Sequence, residues 1–182
     1  MHHLNVTYYI GWLAAAAAFG AAHHAAQVTH VAVSRLVRDR QIGRADLRFH
    51  IRANIDDLPT VQRMARSGPY LVSSPEVTAL DIVSDLTVSG GLDNAATVIV
   101  DLVEETGLDD DVLTKLASSY PDAAIRRLGW IAETHTEQRF DHLAAEVAAG
   151  SEHPARLQPS LPLTGALNER WRLRLNTTVA VE

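Results

Sequence analysis

Ser74-Pro75-Glu76-Val77-Thr78-Ala79-Leu80-Asp81-Ile82-Val83 is where this 182-residue sequence turns from strands to helices. Ser74 supplies a capping oxygen, Pro75 suits the first helical position and Glu76 places an acid in the first turn; Ala79, Ile82, Val83 and Leu86 then follow at helical spacing. Downstream the same punctuation repeats. Leu92, Ala95, Ala96, Ile99 and Val103 form a second apolar face that closes at Gly107. Asp109 or Asp110 caps a third helix, with Leu113, Leu116, Ala117 and Tyr120 inward. Pro121 opens a fourth with Ala124, Leu128, Ile131 and Ala132, and a fifth carries Phe140, Leu143, Ala144 and Val147 before Gly150.

Upstream of Ser74 the period changes. Val28 to Val33 is β-branched, and 46–52 alternates, with Leu47, Phe49 and Ile51 expected in the core and Arg48, His50 and Arg52 expected outside. Val61 to Arg66 and Tyr70 to Ser73 flank Ser67, Gly68 and Pro69, the composition of a tight turn. The stretch holding Arg35, Arg38, Asp39, Arg40 and Arg44 reads as an exposed loop. Thr7 is placed to cap an Ala-rich helix from Tyr8 to Phe19 that stops at Gly20. At the other end, Trp171 to Val181 alternates as one long strand expected to return to the same sheet. These elements predict an α+β fold: a small mixed sheet packed on the N-terminal helix, an array of about five helices, and a C-terminal strand. Residues 1–150 hold the sheet and helical array; 151–182 are a Pro-rich irregular segment and a strand that pack on the same domain.

Charge is unevenly spread. Residues 1–70 carry eight arginines against four acids, net +4, and residues 71–125 carry eleven acids against Lys115, net −10; the remainder balances at seven each. Segments of opposite sign steer different partners, or one another. With no cysteine, disulfide scaffolds, cysteine-ligated zinc and iron–sulfur centres, and thiol nucleophiles are excluded. Ile10 to Ala22 is apolar but short for a membrane span, has no basic region before it, and is punctuated by Gly11, Gly20, His23 and His24, so a buried helix of a cytoplasmic protein is expected, with no membrane partner.

Catalytic patterns are missing. Nine histidines stand at no converging metal-ligand offset; His23 and His24 follow a helix end, where they complement its negative pole. Asp81 and Asp85 at i, i+4 could pair on a metal but read first as a solvated face, and Asp109, Asp110 and Asp111 as a cap. Neither Ser84 nor Ser89 lies in a nucleophile elbow, and Gly90-Gly91 lacks the phosphate-loop lysine and the dinucleotide glycine spacing. No cofactor is expected. The most distinctive feature is the arginine set Arg35, Arg38, Arg40, Arg44, Arg48, Arg52, Arg172 and Arg174, a candidate surface for a partner protein or a nucleic-acid backbone. A plain solvated sheet face would carry the same alternation. If the C-terminal strand joins the sheet, Arg48, Arg52, Arg172 and Arg174 share one patch.

Several stretches, in order, resemble the C-terminal domain of AbiEi-type antitoxins of abortive-infection (type IV) toxin–antitoxin pairs. They are Tyr8-Tyr9-Ile10-Gly11-Trp12-Leu13, Gln27-Val28-Thr29-His30-Val31-Ala32-Val33, the Ser74 to Val83 run, Gly90-Gly91-Leu92-Asp93, Ile125-Arg126-Arg127-Leu128-Gly129-Trp130 and Arg170-Trp171-Arg172-Leu173. The resemblance implies a non-enzymatic antitoxin-like domain that counteracts a nucleotidyltransferase-like toxin, by direct contact or indirectly. In that family a winged helix usually precedes this domain and binds the operon's promoter; only six residues stand before the first expected helix here, so DNA would be met only weakly, through the basic face. A nucleic-acid-binding transcriptional regulator using that face is the alternative, and an enzyme of unknown class, with Asp81 and Gly90-Gly91 as its handles, the second.

Overall fold

The computed structural model describes residues 6–21, 27–43, 45–66 and 68–181. Nine strands and six α-helices follow in chain order among them: β1 (Tyr8–Ile10), α1 (Trp12–Ala18), β2 (Val28–Val33), β3 (Arg40–Ile42), β4 (Ala45–Ile51), β5 (Thr60–Ala65), β6 (Gly68–Ser73), α2 (Pro75–Ser84), α3 (Leu92–Thr106), α4 (Asp110–Leu116), α5 (Asp122–His135), α6 (Asp141–Ala149), β7 (Ala155–Arg156), β8 (Ala166–Asn168) and β9 (Leu173–Leu175). The main sheet is six-stranded and mixed, in the order β3-β4-β2-β1-β6-β5, with β2 parallel to β4 and β1 parallel to β6. A second sheet, β7-β9-β8, lies beside the helices.

The array of five helices after Ser74 follows the expected punctuation. Ser74 Oγ accepts the Val77 N–H, and Asp109 accepts that of Val112. Such caps satisfy backbone donors that the helix itself leaves unpaired, each contributing about 1 kcal/mol. Asp110 reaches farther, accepting the first N–H groups of α6 at His142 and Leu143, which fixes α4 against α6. Helix α2 is buried from Glu76 to Val83 and is the hub of the core.

Three expectations are corrected. Tyr8, Tyr9 and Ile10 are the central strand β1 and not the start of a helix: they pair with Val33, Ala32 and Val31 on one side, and Ile10 pairs with Val72 on the other. Two available neighbours outweigh the helical tendency of the alanines that follow, and Thr7 gives its carbonyl to Ser34 N–H. Arg40–Ile42, expected in a loop, is an edge strand on β4, closed by a turn at Gly43, whose φ is 61°. Asp39 makes that pairing possible by accepting the Phe49 N–H just beyond the end of β3.

The third correction concerns the C-terminus. Its strand is Leu173–Leu175 only, and it pairs with β7 and β8 instead of the main sheet. Arg172 breaks the alternation with φ 44°, and the Pro-rich segment supplies both partner strands. Trp171 anchors the segment, 1% exposed, with its ring against Gly129 of α5, where a Cβ would stand 2.2 Å from Cη2. His23, His24 and Arg44 lie outside the described residues.

Candidate functional site: the arginines of the sheet and of the C-terminal segment

Strand β4 carries the residues expected to act, but its two faces are exchanged. The side bearing His50, and Arg52 just past the strand, meets the helical layer, while Ile51 on the supposed core side is 60% exposed. Asp81, 1% exposed on α2, is what draws Arg52 in. Its carboxylate accepts bonds from Arg52 Nη1, from Tyr9 Oη at 3.0 Å and from Tyr120 Oη at 2.9 Å. Arg52 Nη1 also lies 2.7 Å from Tyr9 Oη and 3.0 Å from Tyr120 Oη, and the guanidinium stacks 4.6 Å from the Tyr120 ring centre. Burial pushes the Asp81 carboxyl up, against the pull of Arg52 and the two hydroxyls, and burial and Asp81 both push Tyr9 and Tyr120 up. Burial alone would lower Arg52, but Asp81 and the tyrosines raise it. The cluster joins β1, the end of β4, α2 and the approach to α5, and Gly11 is part of it: a Cβ there would stand 3.0 Å from the Tyr9 ring and 3.1 Å from Asp81 Oδ2.

Beside it lies a second group. His30 Nδ1 and His50 Nε2 are 2.8 Å apart, and the Trp12 ring packs 4.6 Å from His50. Burial and the neighbouring His50 lower the pKa of His30. Among the described residues, no group of three or more His, Cys, Asp or Glu side chains could hold a metal ion.

The seven described arginines of the candidate set therefore have different employments. Arg48 is half-exposed and paired with Asp39 at 3.1 Å and Asp46 at 3.0 Å, which locks the β3–β4 hairpin. Arg172 donates to the carbonyls of Val147, Ala148, Gly150 and Ser151, closing the C-terminus of α6, and Arg174 donates to the Gly165 carbonyl. Arg174 lies in the second sheet and Arg172 just before it, so the condition for one shared patch with Arg48 and Arg52 is not met. Arg35, Arg38 and Arg40 are exposed at the β3 edge of the main sheet.

Arginines outside the candidate set do as much structural work. Arg126 and Arg127 of the Arg-Arg-Leu-Gly-Trp stretch are buried on α5 and hold the C-terminal segment by its backbone. Arg126 donates to the carbonyls of Ser151, His153 and Arg172, and Arg127 to those of Val83, Arg156 and Leu157. Burial pulls the Arg127 pKa down to about 10. Glu133, one turn after Gly129, accepts a two-pronged bond from Arg170 at 2.8 and 2.9 Å, the Trp171 indole N–H at 3.0 Å and the Phe140 N–H at 2.9 Å. Spacing alone could not reveal most of these partners, because Arg170 and Trp171, the side-chain partners of Glu133, lie more than 30 residues away, and those of Arg126 and Arg127 are carbonyls that any residue carries.

Residues 9–134 match the family model for the AbiEi antitoxin C-terminal domain. The chain belongs to this family. It is a non-enzymatic, antitoxin-like domain, and each of the six stretches that carried the resemblance contributes buried residues: Tyr9 and Trp12, Val31 to Val33, Val77 to Val83, Leu92, Ile125 to Trp130, and Trp171 with Leu173. The crystal structure of the RV2827C protein from Mycobacterium tuberculosis is similar in fold, with a TM-score of 0.64 at 14% identity. The similarity covers 91% of this AbiEi-family chain and 61% of that one. No match was found among curated proteins. No helix among the described residues is long and apolar enough to cross a membrane.

Proposed function

We propose that this domain counteracts a nucleotidyltransferase-like toxin in an abortive-infection pair, in the cytoplasm, by binding and not by chemistry. The family match over residues 9–134 carries this reading. The exposed arginines at the β3 edge support a binding role, since Arg38 and Arg40 stand in solvent while Arg52, Arg126, Arg127, Arg170 and Arg172 are taken up by the fold. Such charges accelerate encounter with an acidic surface and select against basic ones. The experiment is co-expression of the chain with the toxin encoded beside it. Restored growth at wild-type expression is the expected result, and growth arrest despite soluble antitoxin would overturn the reading.

The same arginines favour a second reading, in which the domain contributes to transcriptional regulation by holding a phosphate backbone. Affinity of that kind is blind to sequence and falls steeply with salt. Tight, competitor-resistant binding of this chain to its own promoter at physiological salt would replace the first reading with the second.

A further inference from the structure

Burying a guanidinium is costly unless a carboxylate accompanies it, and the fold follows that rule three times. Arg52 is paired with Asp81, Arg126 with Asp122 and Arg170 with Glu133. Arg127 departs from it. At 3% exposure it is more deeply buried than Arg52 or Arg170, yet it meets only the carbonyls of Val83, Arg156 and Leu157, and no carboxylate among the described residues pairs with it. Those bonds use three of its five N–H donors and leave one on Nη1 and one on Nη2. With a pKa of about 10 the group is still charged at neutral pH.

Arg127 forms part of the wall of an open cavity of about 490 Å³ between α5 and the C-terminal segment. Pro154, Pro159 and Leu163 make its wall apolar, and Arg156 adds a second, exposed cation. Ala123, one turn before Arg127 on the same side of α5, also lines it and is too small to cover the arginine. No acid among the described residues lines it. This volume, with a mostly apolar wall and a few polar groups, is that of a small-molecule site. The lining also says which ligand fits. Two cations without an acid call for an anion, and one free N–H on each terminal nitrogen of Arg127 matches the two oxygens of a carboxylate. Inorganic phosphate offers the same oxygens, but it would surrender a larger hydration against proline and leucine and leave the apolar wall unused.

We propose that this cavity binds a small amphipathic carboxylate, with its two oxygens on Arg127, Arg156 beside them, and its hydrocarbon body on Pro154, Pro159 and Leu163. The site asks nothing of the toxin and uses none of the β3-edge arginines, so its failure leaves the antitoxin reading untouched. A ligand held there ties the C-terminal segment to α5 and stabilises the fold by mass action. Calorimetric titration of the full chain with octanoate, and its melting temperature with and without octanoate, test the proposal. Octanoate should bind and raise the melting temperature. Acetate, which lacks the body, and 1-octanol, which lacks the charge, should each bind at least about tenfold more weakly. Replacing Arg127 would also remove three backbone contacts, so its neighbours carry the mutational test. Leu163 is 53% exposed, and Leu163→Glu should keep the circular dichroism of the wild type and weaken octanoate by about tenfold or more. Arg156→Ala should weaken it less, and Met64→Glu, on β5 and outside the cavity, should bind as wild type. Absence of octanoate binding overturns the proposal, as does unchanged affinity in Leu163→Glu. Equal binding of 1-octanol would make the cavity a merely apolar groove, and inorganic phosphate binding as tightly as octanoate would make it a plain anion site; either result also overturns it.

Discussion

The sheet half, residues 8–73, and the helical half that begins at Ser74 use arginine in opposite ways. In the helical half, Arg126, Arg127, Arg170 and Arg172 are turned to the protein's own carbonyls and to Glu133, so their positive charge organises irregular backbone that no strand or helix satisfies. In the sheet half Arg52 is drawn in by Asp81, Arg48 is held by Asp39 and Asp46 and Arg63 lies over the Phe19 ring, while Arg38 and Arg40 remain in water. The difference follows from backbone. A Pro-rich segment packed on a helix leaves orphan carbonyls, and a guanidinium with five donors is the side chain best fitted to collect them. A sheet pairs its own carbonyls and leaves its outward side chains for other uses.

Breaking the buried Arg52–Asp81 pair, which joins the end of β4 to α2, should have the largest effect. Asp81→Ala strands Arg52 between two tyrosines, and a loss of about 3 kcal/mol in denaturant unfolding is expected, the lower end of the range for an uncompensated buried partner. Arg52→Glu should cost at least as much, because it sets two carboxylates together. A loss below about 0.5 kcal/mol for either would mean that the cluster is as dispensable as a surface pair.

Next is the close approach in the helical half. Gly129→Ala drives a methyl into the Trp171 ring and should cost about 1–3 kcal/mol, with loss of near-ultraviolet tryptophan signal. An unchanged melting temperature would show that the C-terminal segment moves aside freely.

Acid should also act on the helical half, through Glu133. Burial opposes the Glu133 charge, but Arg170, the Phe140 N–H and the Trp171 indole outweigh it and hold the carboxyl below its ordinary range. Its contribution is complete above the unfolded carboxyl pKa of about 4.3 and disappears as pH falls through the lower folded value. Urea midpoints followed from about pH 5 to pH 3 should decline, and Glu133→Gln, already less stable at neutral pH, should decline less. Parallel declines in both proteins would remove Glu133 from the explanation.

The smallest effect belongs to the exposed edge. Arg38→Ala and Arg40→Ala should each leave unfolding free energy within about 0.5 kcal/mol of wild type. A larger loss would show that these arginines are structural after all, like those of the helical half.

Sequence by itself determined the helices after Ser74, the β5–β6 hairpin and the existence of strands β2 and β4, because caps, turn residues and apolar period are local properties of the chain. It also determined the family, through residues that proved to be buried. Tertiary structure alone decided what depends on distant partners. Tyr8 to Ile10 is a strand because β2 and β6 lie on either side of it, and the last strand is short because the Pro-rich segment meets it before the main sheet does. The same holds for the candidate site. Alternation states that Arg48, His50 and Arg52 share a face of β4, but period 2 is indifferent to which face is inward. Asp81, twenty-nine residues away in sequence from Arg52, supplied the answer by placing a buried carboxylate on the arginine side.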